Sequence, residues 1–152
     1  EIWSWWDSGN GKWKRSRDNG TLKVVATEVG KEYECFGKQF DAVDFTKTPV
    51  LKLKVKSDTE LKLRINLKDY DGNVNNDKPI IKKVEAGNEF KEYYFDFTNT
   101  WKQSYPDVQE VDPVEIVELL IFINPGMKPF SGTIFIDDVE AVPVSAIPAD
   151  KK

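Results

Sequence analysis

Histidine is missing from this chain of 152 residues, and cysteine and methionine occur once each. Without His, the usual general base near neutral pH and the commonest transition-metal ligand are both gone. A single Cys35 permits no internal disulfide and no thiolate metal cluster. It lies in YECFGKQF, a strand-like stretch, and reads as an inert buried thiol. A basic excess is missing too. Against 26 Asp and Glu stand 22 Lys and Arg, a formal charge of −4, which argues against a general nucleic-acid binder. No apolar run approaches the ~20 residues that a membrane-spanning helix needs.

What is present points to a packed domain. Apolar residues make up 39% of the chain and aromatic residues 12%. A single domain of this length buries roughly 70% of the surface its unfolded chain exposes. The first residue is Glu1 rather than Met, so the chain reads as a processed or excised fragment. Residues 1–142 are expected to form the module. The closing PVSAIPADKK, residues 143–152, looks like a linker or tail.

Alternation dominates the rest. In LKLKVKS, Leu51, Leu53 and Val55 face one way and Lys52, Lys54 and Lys56 the other. LKLRINLKD repeats this, with Leu61, Leu63, Ile65 and Leu67 set against Lys62, Arg64, Asn66 and Lys68. A period of two marks half-buried antiparallel strands. The Ser-Asp-Thr-Glu between the two runs predicts a short hairpin turn. Further strands are predicted at Thr21–Glu28, Tyr33–Phe40, Ile80–Glu85, Phe90–Phe97, Val114–Ile123 and Gly132–Val142. DNG, DGN, AGN, NPG and FSG supply the turns between them. No sustained helical period appears. Eight or more antiparallel strands joined by tight turns predict an all-β sandwich.

Three stretches carry chemistry-bearing side chains. DYDGNVNND sets Asp69, Asp71, Asn73, Asn75 and Asp77 at every second place. A helix-flanked calcium loop wants Gly sixth and Glu twelfth, and those places hold Val74 and Ile80, so a polar loop is expected. EVDPVE holds Glu110, Asp112 and Glu115, the spacing of some β-sandwich glycoside hydrolases. Glycosidic cleavage needs paired carboxylates, but Pro113 breaks the strand that would aim alternate ones into one cleft. FIDDVEAV places Asp137 and Asp138 in the last strand, where a buried acid is costly unless paired. A calcium ion would pair it, and so would water at a strand end; composition leaves both open.

The order YECFGKQF, DFTKTPVLKLKVKSD, LKLRINLKDYDGN, FKEYYFDFTNTW, LLIFINPG and GTIFIDDVEAV resembles the jelly-roll carbohydrate-binding modules of the galactose-binding-like superfamily. It is most similar to the family 11 modules appended to bacterial β-glucanases, from about Trp3 to Val142. The resemblance implies two antiparallel sheets, one presenting a concave face to a polysaccharide. It also implies a structural calcium held in part by Asp137, with Asp138 as its neighbour. Tyr33 takes the place of a sugar-stacking Tyr in the family. A second family aromatic, on the strand before the last, is replaced here by Asn124. The loop after Phe97 offers Trp101, Gln103 and Tyr105.

IWSWWDSGNGKW concentrates four of the five tryptophans in residues 2–13. Along an extended chain Trp3 and Trp5 point one way and Trp6 the other. Trp3 or Trp5 is therefore expected in the core, and Trp6 at the rim of the groove. Trp101, in a polar loop, is expected to be an exposed stacking platform. Arg64, Asn66, Gln103 and Asn124 are the polar partners expected for sugar hydroxyls, and Trp101, Tyr33, Trp6 and Tyr105 the aromatic ones. The expected protein is a monomeric, non-catalytic module that binds a neutral β-glucan or mannan and is tethered to a secreted or cell-surface bacterial hydrolase. A small glycan hydrolase using Glu110, Asp112 and Glu115 and a protein-interaction sandwich are the alternatives.

Overall fold

A computed structural model describes residues 5–151. Among these residues ten strands form: β1 Trp5–Asp7, β2 Trp13–Asp18, β3 Thr21–Val29, β4 Cys35–Val43, β5 Val50–Ser57, β6 Leu61–Asp69, β7 Ile80–Val84, β8 Lys91–Asp96, β9 Ile116–Ile123 and β10 Phe130–Val142. They make two antiparallel sheets, ordered β1-β4-β9-β6-β7 and β2-β3-β10-β5-β8. This is the all-β sandwich that the alternating runs predict. Asn19 and Gly20 turn β2 into β3 with φ of 50° and 83°, the positive pair that a two-residue hairpin turn of matching twist requires.

One turn differs from the expectation. Ser-Asp-Thr-Glu does not close a hairpin, because β5 pairs with β8 and β10 while β6 pairs with β7 and β9. The chain crosses from one sheet to the other there. The physical reason is the alternation itself: Leu51, Leu53 and Val55 from one sheet meet Leu61, Leu63, Ile65 and Leu67 from the other across the core, and all are buried. Two stripes of branched side chains can be covered by facing each other, about 10 Å apart, as well as by lying side by side.

Trp5 and Trp13 are buried at one end of this core, their rings 6.0 and 5.1 Å from that of Phe36. Two of the N-terminal tryptophans are thus packing residues; Trp3 lies outside the described residues. The segment after Val142, expected as a linker or tail, docks on the second sheet. Ile147 is buried with Val50, Tyr94 and Val142, and the Lys151 ammonium donates to the Glu92 carbonyl at 2.6 Å.

Because Phe36 is fully buried against two indoles, Phe36→Ala should leave a cavity and cost about 3–5 kcal/mol of stability. Urea unfolding followed by tryptophan fluorescence measures it. A loss below about 1 kcal/mol would contradict this packing.

Candidate functional site

The outer face of the first sheet collects side chains from five segments. In one ladder row Cys35, Phe122, Arg64 and Ile81 stand opposite one another on β4, β9, β6 and β7. In the next, Trp6, Gly37, Leu120 and Asn66 follow on β1, β4, β9 and β6. Neighbouring strands lie ~4.8 Å apart, so each row runs ~15 Å across the sheet. Tyr33 precedes β4 and Asn124 follows β9 at the same end of the face. Of the residues expected to bind, Tyr33, Trp6, Arg64, Asn66 and Asn124 therefore come together.

Each has a local reason for its pose. Trp6 lies across Gly37, where a β-carbon would stand 2.6 Å from the indole Cζ2, so only glycine lets the ring rest on the backbone. Its Nε1 is buried without an acceptor among the described residues. Arg64 stacks on the Phe122 ring at 4.9 Å, and its Nε donates to Asn66 Oδ1 at 2.8 Å. Its other partner is the Asn76 carbonyl, at 3.3 Å. Among the described residues no carboxylate pairs with Arg64. Burial lowers its pKa from the ordinary value, and the nearby Tyr33 hydroxyl works the other way. Arg64 nonetheless stays cationic. Asn66, expected to bond sugar hydroxyls, is instead fully buried: its amide donates to the backbone and side-chain oxygens of Asn75 and its Oδ1 is taken by Arg64, so it positions Arg64 rather than facing a ligand. Asn124 Oδ1 accepts from the Lys62 N–H at 2.8 Å and closes the end of the β6–β9 ladder.

Tyr33 is 54% exposed and sits at φ +57°, the left-handed region that a bulky side chain seldom enters. Its ring lies over Gly126, where a β-carbon would come within 2.6 Å of the tyrosine hydroxyl. A turn holds it there. The Glu34 carboxylate accepts from the N–H groups of Gly30 and Glu32 at 2.8 and 3.1 Å, and from the Lys12 ammonium at 2.8 Å.

The loop expected to supply the best platform is built differently. Trp101 is half-buried, its ring 6.2 Å from Phe45 and 6.3 Å from Phe97, so it lids the core rather than standing free. Gln103, expected to reach hydroxyls, is buried, with its Nε2 donating to the Thr100 and Trp101 carbonyls. Tyr105 alone stands out, at 63% exposure. The loop is tied beside the first sheet by Asn75 Nδ2 to Thr100 Oγ1 and by the Ser104 N–H to Asp77.

Phe122 and Leu120 look like core residues in the sequence, yet both belong to the outer face of β9. In VELLIFI apolar residues occupy both faces of β9, and that break in alternation marks an apolar strip on the outer face. Phe122, two residues before Asn124, places an aromatic on the strand before the last. Cys35 is half-buried beside it; burial first, then the Glu118 carboxylate, pushes its thiol up to about 11. It is protonated and unreactive at neutral pH.

The other acidic motifs are structural. Asp69 accepts from the N–H groups of Asn73 and Asp112, and Asp112 caps Val114, leaving Glu110 and Glu115 exposed. In the last strand Asp138 pairs with Lys54 at 2.9 Å, and Asp137 accepts from the Asp138 N–H. Arg17 and Lys38 line the same recess. Calcium takes six to eight oxygens, and among the described residues no three acidic, His or Cys side chains cluster. A calcium ion there would have to displace the Lys54 pair and take most of its oxygens from backbone carbonyls. A thermal scan with and without a chelator tests it: a drop in melting temperature of several degrees on chelation would reveal a bound metal, and a shift within about 1 °C would count against one.

Glu34 makes a second prediction. Burial pushes its carboxyl up, but the Lys12 ammonium and the backbone donors outweigh this and hold it at about 2, against an ordinary 4.5. A depressed folded pKa contributes stability that is present above the unfolded value and lost as pH falls toward the folded one. The stability gap between wild type and Glu34→Gln should thus be constant above about pH 5 and close between about pH 4.5 and 2. Urea midpoints across that range test it, and a gap that widens on acidification would contradict it.

No protein-family model matches the chain, and no curated protein is similar to it in sequence. Solved structures are similar in shape. A family 11 carbohydrate-binding module from Clostridium thermocellum, in complex with a β-1,3-1,4-mixed-linked tetrasaccharide, is 15% identical with a TM-score of 0.61, over 94% of this chain and 91% of that one. A mutant family 29 carbohydrate-binding module, complexed with cellulohexaose, is 12% identical with a TM-score of 0.52, over 90% and 78%. An exo-β-agarase is 14% identical with a TM-score of 0.64; 92% of this chain aligns with only 23% of the enzyme. At these identities the likeness is one of fold. This chain has the jelly-roll β-sandwich fold of carbohydrate-binding modules.

Proposed function

We propose that the domain is a non-catalytic module that binds a polysaccharide along the outer face of its first sheet. The observation that carries this is the line of groups on that face: Trp6 and exposed Tyr33 beside Arg64 and Asn124, with the buried Phe122 and Asn66 beneath Arg64 holding it in place. Aromatic rings cover the C–H faces of pyranose rings, and amide and guanidinium groups bond their hydroxyls; an apolar surface with a few fixed polar groups is the usual make-up of a small-ligand site.

A neutral glucan is the polymer favoured. A mannan would offer the same ring faces. An anionic chain would need Arg64 and the lysines of β5 in one groove, but Lys52, Lys54 and Lys56 lie on the other sheet, and two of them pair with Glu92, Glu140 and Asp138. Similar solved modules hold a mixed-linked tetrasaccharide and cellulohexaose, which supports the same class. Tethered to a secreted hydrolase, such a module would raise the enzyme's effective concentration at its substrate. Agarases containing a similar domain make a neutral galactan the polymer to test beside the glucans.

Affinity electrophoresis in gels cast with mixed-linkage β-glucan, mannan, agarose or an anionic polymer tests the proposal. The domain should be retarded by a neutral polymer, and Tyr33→Ala should weaken binding ~10–30-fold. Trp101→Ala should lower stability with little effect on affinity. No retardation by any polymer would overturn the carbohydrate reading, as would the release of reducing ends by the isolated domain its non-catalytic part.

A further inference from the structure

Tyr33 holds an unfavourable backbone angle, and the residues that impose it lie away from the face it serves. We propose that Glu34 and Lys12 are positioning residues for Tyr33, which they fix in its left-handed pose so that the platform exists before ligand arrives; this rests on the carbohydrate reading above. Residues 30–34 form a tight turn, GKEYE, closed by the Tyr33 N–H donating to the Gly30 carbonyl at 2.9 Å. A left-handed φ at a tyrosine persists only where its surroundings over-determine it.

Two sets of contacts do so. From below, Glu34 Oε1 gathers the N–H groups of Gly30 and Glu32, which pulls both ends of the turn around one buried carboxylate. Glu34 Oε2 receives the Lys12 ammonium, which also donates to the Glu28 carbonyl at 3.0 Å. Lys12 thereby ties the SGNGK loop and the end of β3 to the turn, so the carboxylate is neutralised where it is buried. From the side, the Gly126 N–H donates to the same Gly30 carbonyl at 2.9 Å, docking the loop after β9. Gly30 permits this contact, since at φ +114° a β-carbon would stand 2.5 Å from the Asn124 carbonyl oxygen. The aromatic ring is left one place to lie, over Gly126.

The consequence is a platform whose rigidity depends on a carboxylate that does not face the ligand. Rigid presentation removes part of the ordering cost of binding, so loss of the clamp appears as lost affinity. Glu34→Ala removes both acceptors, Glu34→Gln keeps one acceptor without charge, and Lys12→Met removes the ion pair and the tie to the Glu28 carbonyl but leaves the Glu34 bonds to Gly30 and Glu32. The three should weaken binding of the mixed-linked tetrasaccharide in that order, Glu34→Ala by about tenfold.

Two measurements decide the matter. The first needs no ligand: nuclear Overhauser contacts from the Tyr33 ring to the Gly126 α-protons should be present in wild type and weakened or lost in Glu34→Gln and Lys12→Met. The second is a double-mutant cycle by calorimetry with the mixed-linked tetrasaccharide and cellulohexaose. If Glu34 acts through Tyr33, Glu34→Gln should cost no further affinity in a Tyr33→Ala background. Unchanged contacts in the folded variants, or an equal affinity loss in both backgrounds, would overturn the positioning role. If wild type binds neither sugar, the carbohydrate reading fails, and the ring contacts still decide whether Glu34 and Lys12 set the pose of Tyr33.

Discussion

A β-strand has two faces, and in a sandwich only one of them enters the core; the rest of this molecule depends on that constraint. Leu53, Leu63, Ile65 and Phe36 fill the space between the sheets. Their alternate neighbours are thereby forced outward, and what they form depends on the sheet. On the second sheet the outward residues of β5 are lysines, two of them paired with acids. On the first sheet they include Trp6, Arg64 and Asn66, joined by the outward apolar residues of β9. The same burial that stabilises the fold sorts a charged, solvated face from an aromatic and hydrogen-bonding one.

The aromatic face of the first sheet is held by unusual backbone as well as by strands. Tyr33 and Asn124 both adopt positive φ, and each sits beside a glycine-containing turn. Gly37 and Gly126 serve as seats, one for the indole of Trp6 and one for the ring of Tyr33. Rings resting on bare backbone are fixed from beneath and open above, the arrangement a stacking ligand requires. Arg64 is held similarly, over Phe122 and against Asn66, with its charge left uncompensated by any carboxylate among the described residues.

Much of this is legible in the chain. The runs LKLKVKS and LKLRINLKD declare their core faces, and the outward placement of Arg64 and Asn66 follows from the same count. What cannot be read is which strands are partners. Alternation states that Leu53 and Leu63 are buried; it does not say whether they sit side by side or face each other, so it predicts a hairpin at residues 57–60 where the chain in fact changes sheets. Trp101 shows a second limit: polar neighbours in sequence hide Phe45, which is distant in the chain and touches the ring. Phe122 shows a third. An apolar residue on the outer face resembles a core residue until its strand is placed, although the loss of alternation in VELLIFI is a usable signal.

On the proposed reading, ligand lies on the first sheet and not the second. The most direct measurement is a titration of the 15N-labelled domain with the mixed-linked tetrasaccharide, following every backbone amide. Perturbations should gather on β1, β4, β6 and β9 and at residues 30–34 and 124–126, with the amides of β3, β5, β8 and β10 unmoved. Perturbations centred on the second sheet, or spread evenly over both, would contradict that reading.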